Sequence, residues 1–502
     1  MAQQQQNISI SAPGFNGVNT QLSPLSLGPE WARIADNCVI DQFGRVGARE
    51  GYTVLTGSNA YLSSNPVTAF ARFYDTTSEA DLDISAGNNK IWEGSGTPTD
   101  ITPVAATITA DDWQMVVFND DLYMIQAGHD MLMYDTSASS CLRVTDHASA
   151  AGVPSAPTCG LGAFGKLWVA KDSTIWWSDT LIGPDFTNGA SGSINLKNVW
   201  PAGADEVVSL AEHNNFLIIF GKKSIVIYSG AESPANMTKQ DVIRNIGCAS
   251  RESVKSIGTD LLFLDANGVR SLGRVIQEKS SPIGDISSNV HTDIIGSLRA
   301  NESFIRAAYS GDNGFYLISF PTTMEVYCFD LRNGLLPDGS SRTTIWTGTP
   351  YTAFYDYDDT LFIGNYDGIC TYGTYTDGTD TYRMRYYSHP QTLGSPVTLK
   401  FPKQLDYFLV GGTGQEISLA WGFGYDGVYK YKTYVLGDGD VYEYGVAEYD
   451  VAEYIVSADI GSPKVNTTGS GKSVSVGFES TISGNAISVQ EINLQTLIGR
   501  IV

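Results

Sequence analysis

Seven short hydrophobic hairpins follow one another along this chain, and their spacing limits the fold more than any other feature. Leu82-Asp-Ile leads to Ile91-Trp92, Leu122-Tyr-Met-Ile to Leu132-Met-Tyr134, and Leu167-Trp-Val to Ile175-Trp-Trp177. Leu217-Ile-Ile leads to Ile225-Val-Ile-Tyr228, and Leu262-Phe-Leu runs through Asn267-Gly268 to Val269-Arg-Ser-Leu272. Phe315-Tyr-Leu-Ile with Val326-Tyr-Cys-Phe329, and Leu361-Phe-Ile with Ile369-Cys-Thr-Tyr372, complete the series. The closing residues Trp92, Tyr134, Trp177, Tyr228, Leu272, Phe329 and Tyr372 are 42, 43, 51, 44, 57 and 43 positions apart. About forty residues is the length of a four-stranded propeller blade. One hairpin alone is marginal, whereas stacked blades bury each other's faces.

The sequence therefore predicts an all-β protein with a β-propeller of six or seven blades. Fifty-two glycines and 27 tyrosines in 502 residues suit many tight turns between aromatic-rich strands. The propeller is placed at 59–389, after an N-terminal arm and hairpin over 1–58. Residues 390–502 lose the forty-residue period but keep alternating strands such as Ile417-Ser-Leu-Ala-Trp421 and Val474-Ser-Val-Gly-Phe478, which predicts a C-terminal β-sandwich-like domain. The opening residues read as a polar tail. Between Leu272 and Phe329, apolar Ile286, Val290, Ile294 and Leu298 recur every fourth residue, which predicts a short inserted helix near 285–298 with Asp285 as its cap.

The chain carries 31 Lys+Arg against 54 Asp+Glu, a net charge of −23. Gripping DNA phosphates needs clustered bases, so double-stranded DNA meeting this surface is expected to pass without tight binding. Six cysteines (Cys38, Cys141, Cys159, Cys248, Cys328, Cys370) lie far apart with no Cys-x-x-Cys, as in a protein whose thiols stay reduced. The N-terminus lacks the basic and apolar regions of a secretory signal, and no run approaches the ~18 apolar residues of a membrane span.

Catalytic and metal signatures are missing. His129, His147, His213, His291 and His389 are scattered, no Gly-x-Ser-x-Gly elbow occurs, and no cofactor is implied. Asn466-Thr-Thr-Gly-Ser-Gly-Lys472-Ser473 approaches a phosphate loop but runs into a strand, not a helix N-terminus. Gly437-Asp-Gly-Asp440 lacks the downstream ligands of a calcium loop. Asp338-Gly-Ser-Ser-Arg-Thr-Thr-Ile-Trp346 resembles a sialidase Asp-box with the wrong spacing. All three read as turns, and the chain reads as no enzyme. The most unusual segment holds Asp438, Asp440, Glu443, Glu448, Asp450 and Glu453 with no Lys or Arg among them. It reads either as a solvated hairpin with a tyrosine face or as an acidic wall lining a channel or a subunit interface.

Five stretches in order resemble one family. They are Ala35-Asp-Asn37 through Gly44-Arg-Val-Gly-Ala-Arg49-Glu-Gly51-Tyr52, Phe220 to Gly230, and Gly247-Cys248-Ala-Ser250-Arg-Glu-Ser253-Val254 with Phe263 to Val269. Ser281-Pro282-Ile283 and Tyr327-Cys-Phe-Asp330 with Trp346 follow. Together they resemble the tail nozzle, or tail hub (packaged-DNA stabilization), proteins of short-tailed, podovirus-type double-stranded-DNA bacteriophages. The resemblance implies a structural virion protein made in the host bacterial cytoplasm. It would be a homohexamer at the distal end of the tail, joined to an adaptor ring and to tail fibres or spikes, retaining DNA and conducting it on ejection. The other readings of the same propeller are a carbohydrate-binding or carbohydrate-cleaving host-receptor module and a generic protein-interaction platform.

Overall fold

The seven hairpins are the second and third strands of seven consecutive sheets. The computed structural model describes residues 4–108, 112–201, 204–278, 286–301, 304–412, 414–437 and 459–499. In each hairpin the strands pair antiparallel, with Trp168 opposite Trp177, Leu217 opposite Tyr228 and Leu262 opposite Ser271. These strands are mostly apolar because both their faces are covered. Leu217–Gly221 and Phe315–Phe320 are buried at every residue, as expected when each blade is sandwiched between two others.

The sheets form a ring. Their first strands are Ala69–Asp75, Gln114–Phe118, Cys159–Ala163, Val207–His213, Lys255–Ser256, Arg306–Ser310 and Ala353–Tyr357. Each adjoins the next except at Val207–His213, where the 3-10 turn Arg251–Ser253 ahead of the fifth sheet bridges the fourth and sixth, and Ala353–Tyr357 returns to Ala69–Asp75. Six blades are four-stranded and the fifth is three-stranded. The last blade takes its fourth strand, Tyr52–Val54, from before the first blade, opposite Cys370–Tyr372. The propeller is thus closed by a strand from ahead of its first blade, which pairs with the otherwise outermost strand Gly368–Tyr372.

In the fifth blade two helices follow the third strand. The first, α1 (Leu272–Glu278), is not announced by the sequence pattern; Asp260 accepts a hydrogen bond from the Gly273 amide at 2.9 Å and steadies its start. The second, α2 (His291–Ala300), is the inserted helix, beginning later than the periodicity predicts because Ser288–Val290 forms a 3-10 turn ahead of it. Ile286, Val290, Ile294 and Leu298 are all buried in one core, as their spacing requires. Asp285, its expected cap, lies outside the described residues.

Beyond the propeller, two sheets face each other as a β-sandwich. One contains Lys400–Gly411 and Ile487–Ile498; the other contains Tyr382–Ser388, Val474–Ile482, Glu416–Phe423 and Tyr429–Val435. Tyr407 crosses the interior, its ring edge-on to Phe478 at 6.4 Å and its hydroxyl donating to the Gly477 carbonyl at 2.6 Å. The segment 1–58 supplies strands to both sheets as well as to the last blade. The polar opening residues form a strand, Gln4–Ser11, paired along its whole length with Ile487–Ile498. Its alternation buries Ile8 and Ile10 and turns the polar residues outward.

The second sandwich sheet continues into the propeller. Gly17–Val18 and Trp31–Asp36 pair with the outer strand of the sixth blade, Arg342–Thr347, and Trp31–Asp36 then pairs with Tyr382–Ser388. The result is one ten-stranded sheet running from the propeller's inner ring to the far edge of the sandwich.

Candidate assembly and channel surfaces

Sequence reasoning placed the candidate channel or interface on Asp438, Asp440, Glu443, Glu448, Asp450 and Glu453. All six lie outside the described residues. The described chain leaves for this segment from the strand Tyr429–Val435 and returns at Asp459–Gly461. Tyr429–Val435 pairs with Glu416–Phe423 on one side, and among the described residues nothing pairs with its other side. Lys430, Tyr431, Lys432 and Thr433 are exposed in succession. Tyr431 and Tyr429 gather around Tyr387 on the outer face of this sheet. The Tyr387 and Tyr429 rings lie 4.3 Å apart, and the Tyr387 hydroxyl donates to Glu479 at 2.7 Å.

The axis of the propeller is bridged at the entry to its inner strands. Arg306, which opens the sixth blade, donates to Asp112 ahead of the second blade at 2.8 Å and to the Thr68 carbonyl ahead of the first. Arg251 of the fifth blade donates to the Asp112 carboxylate at 3.1 Å and to the Thr158 carbonyl ahead of the third at 2.9 Å. Burial alone would raise the Asp112 pKa, but the Arg306 and Arg251 guanidiniums outweigh it and hold the carboxyl below its usual range. Five blades are tied across the axis by one carboxylate and two arginines. Arg251 belongs to the Ser250-Arg-Glu-Ser253 stretch of the resemblance; Asp112 and Arg306 carry no local signal.

A second buried network lies where propeller and sandwich meet. Arg49 is fully buried and forms a two-pronged pair with Asp377, at 2.8 and 2.6 Å. Its Nε donates to Asn37 Oδ1 at 3.1 Å, and its guanidinium lies 4.1 Å over the Tyr382 ring. Asn37, in a left-handed conformation (φ 52°), also accepts from the Thr347 amide. Trp346 is buried beside them, its indole N–H donating to the Cys38 carbonyl at 3.2 Å and its ring stacked on Tyr372 at 5.7 Å. Asn37, Arg49 and Trp346, singled out in stretches far apart in the chain, thus meet at one joint. A cavity of about 330 Å³ adjoins it, lined by Tyr52, Thr349, Tyr351, Asp377 and Tyr382 among others.

The remaining candidates behave as structural parts. Among the described residues no group of three His, Cys, Asp or Glu could hold a metal ion. Asp338 accepts from the Ser340 amide and hydroxyl, closing a turn. Asn466–Ser473 runs from the strand Lys464–Asn466 into the strand Val474–Ile482. Trp177 is buried at its blade-closing position, with its N–H on the Ala190 carbonyl at 3.0 Å, while Trp176 is half-buried. The cysteines are free thiols, and burial pushes Cys141, Cys159 and Cys248 up to about 12. An open groove of about 690 Å³ lies between the fourth and fifth blades, lined by His213, Phe216, Asp260 and Arg274 among others.

No family model matches the chain, and no curated protein matches it. Among solved structures, the extracellular domain of BT4673 from B. thetaiotaomicron is 11% identical over 78% of this chain and 48% of its own, with a TM-score of 0.43. PorZ, a surface component of the type-IX secretion system of Porphyromonas gingivalis, is 11% identical over 77% and 46%, with a TM-score of 0.36. YCF48, solved with a D1 peptide, is 12% identical over 58% and 87%, with a TM-score of 0.33. The chain spans about half the length of the first two.

Proposed function

We propose that this chain is the nozzle subunit of a short phage tail, a structural protein whose six copies ring the distal end, retain packaged DNA and conduct it on ejection. The reading rests on the ordered family resemblance. The observation that supports it best is the convergence of Asn37, Arg49 and Trp346, from the first and last of the resembling stretches, on one buried joint. Residues that share a joint are expected to recur together in relatives built the same way.

A route for DNA between subunits fits this reading. The axis of each propeller is spanned by Arg251, Asp112 and Arg306, so the conduit lies between subunits. Its walls would belong to a chain of net charge −23, which repels phosphates and keeps the strand moving. An adaptor ring on one side and fibres or spikes on the other are the partners this position requires.

The deciding experiment is electron microscopy of the purified protein and of the virion, viewed down the tail axis. Six subunits around an open centre are expected. A monomer that binds polysaccharide tightly would overturn the nozzle in favour of a host-receptor module.

A further inference from the structure

We propose that the cavity at the joint between propeller and sandwich is a binding site for a neutral monosaccharide. The proposal goes beyond the nozzle reading and does not rest on it. At about 330 Å³ the cavity falls at the small end of ligand pockets, which span about 300–1,000 Å³. Its lining runs from Asp380 and Thr381, both exposed, to Tyr351, which is fully buried. Two polar groups in it are left over. The Tyr351 hydroxyl and the buried Thr349 hydroxyl lie near each other, yet neither makes a hydrogen bond of good geometry with the other or with any described residue. Buried hydroxyls nearly always have a partner, and an unmade bond costs free energy. Burial holds the Tyr351 phenol above its ordinary pKa, so it keeps a proton to donate.

Charge and shape select the ligand. Arg49 neutralises Asp377 at the cavity wall. An anion would meet Asp377 and Asp380, and a cation would meet the Arg49 guanidinium, whose field reaches Tyr351. A neutral ligand meets neither objection. Each Asp377 oxygen accepts one bond from Arg49, at 2.8 and 2.6 Å, and keeps a lone pair. Donors on Tyr351 and Thr349 beside acceptors on Asp377 and Asp380 suit the hydroxyls of a sugar, which both donate and accept. Tyr52 supplies an apolar wall for the C–H face of the ring. That wall is preformed, because the Tyr52 and Tyr351 rings meet edge-on at 6.1 Å and the Tyr52 hydroxyl is fixed on Asp367 at 2.9 Å.

The test is thermal unfolding of the full chain titrated with D-glucose, D-galactose and D-mannose, each against its L enantiomer. A ligand of the folded state raises the melting temperature in a saturating way. One of the D sugars is expected to do so, and its enantiomer is not. Tyr351→Phe removes only the leftover hydroxyl, so the sugar-free chain should melt no lower than the wild type. The same variant should weaken sugar binding by about tenfold, the usual worth of one hydrogen bond, and Thr349→Val should do likewise. Three outcomes would overturn the site. One is a rise that is equal for both enantiomers, which is general exclusion of sugar from the surface. Another is saturation unchanged in Tyr351→Phe. The third is a sugar-free Tyr351→Phe chain that melts lower, since the hydroxyl then has a structural partner of its own. Subunit number is read separately, so failure here leaves the nozzle reading standing.

Discussion

Arg49 and Asp377 sit 328 positions apart, and their pairing holds propeller and sandwich together. Removing one partner of a buried pair leaves the other charge uncompensated, which typically costs about 3–5 kcal/mol. Arg49→Met is therefore expected to destabilise the chain by roughly that amount in urea unfolding, and Arg49→Lys by less, since lysine keeps the charge but loses the two-pronged geometry. The sequence marks Arg49 through its surroundings but says nothing of Asp377, because a partner that distant has no periodicity to reveal it. His389 gives a second prediction. Burial lowers its pKa below 6.5 although its Nε2 bonds the Asn19 carbonyl at 2.8 Å. The unfolded chain then binds the proton more readily, so this contribution is complete above 6.5 and is lost as pH falls below it. Melting temperatures of the wild type at pH 5 and 7.5 should differ more than those of His389→Gln.

At the level of elements, the second and third strands of each blade are legible because burial on both faces makes them predominantly apolar. The first and fourth strands are not. Thr99–Asp100 is only two exposed residues, and Tyr52–Val54 joins its blade from outside the repeat. The C-terminal strands were readable by alternation, but the strand Gln4–Ser11 was hidden by its polar outer face. The inserted helix was readable through its apolar stripe, and its position was displaced by a 3-10 turn that periodicity does not encode. Ile294 is fully buried on that stripe. Ile294→Ala is expected to cost about 2–5 kcal/mol by urea unfolding, whereas Thr292→Ala, on the exposed side, should change stability by less than about 0.5 kcal/mol.

For the whole molecule, charge and topology make separate predictions. With 54 acids against 31 bases, the purified protein should not retard double-stranded DNA in a mobility-shift experiment at physiological salt, and lowering the salt should not rescue binding. Asp112→Asn should weaken the tie across the propeller axis, seen as faster amide exchange in the inner strands Gln114–Phe118 and Arg306–Ser310. The ten-stranded sheet has a mechanical consequence. A load applied at Tyr429–Val435 reaches the sixth blade through successive backbone ladders, with no flexible linker to absorb it. Strands pulled lengthwise resist together, with all their hydrogen bonds sharing the load at once. Pressure on the sandwich would therefore tilt the propeller as one lever.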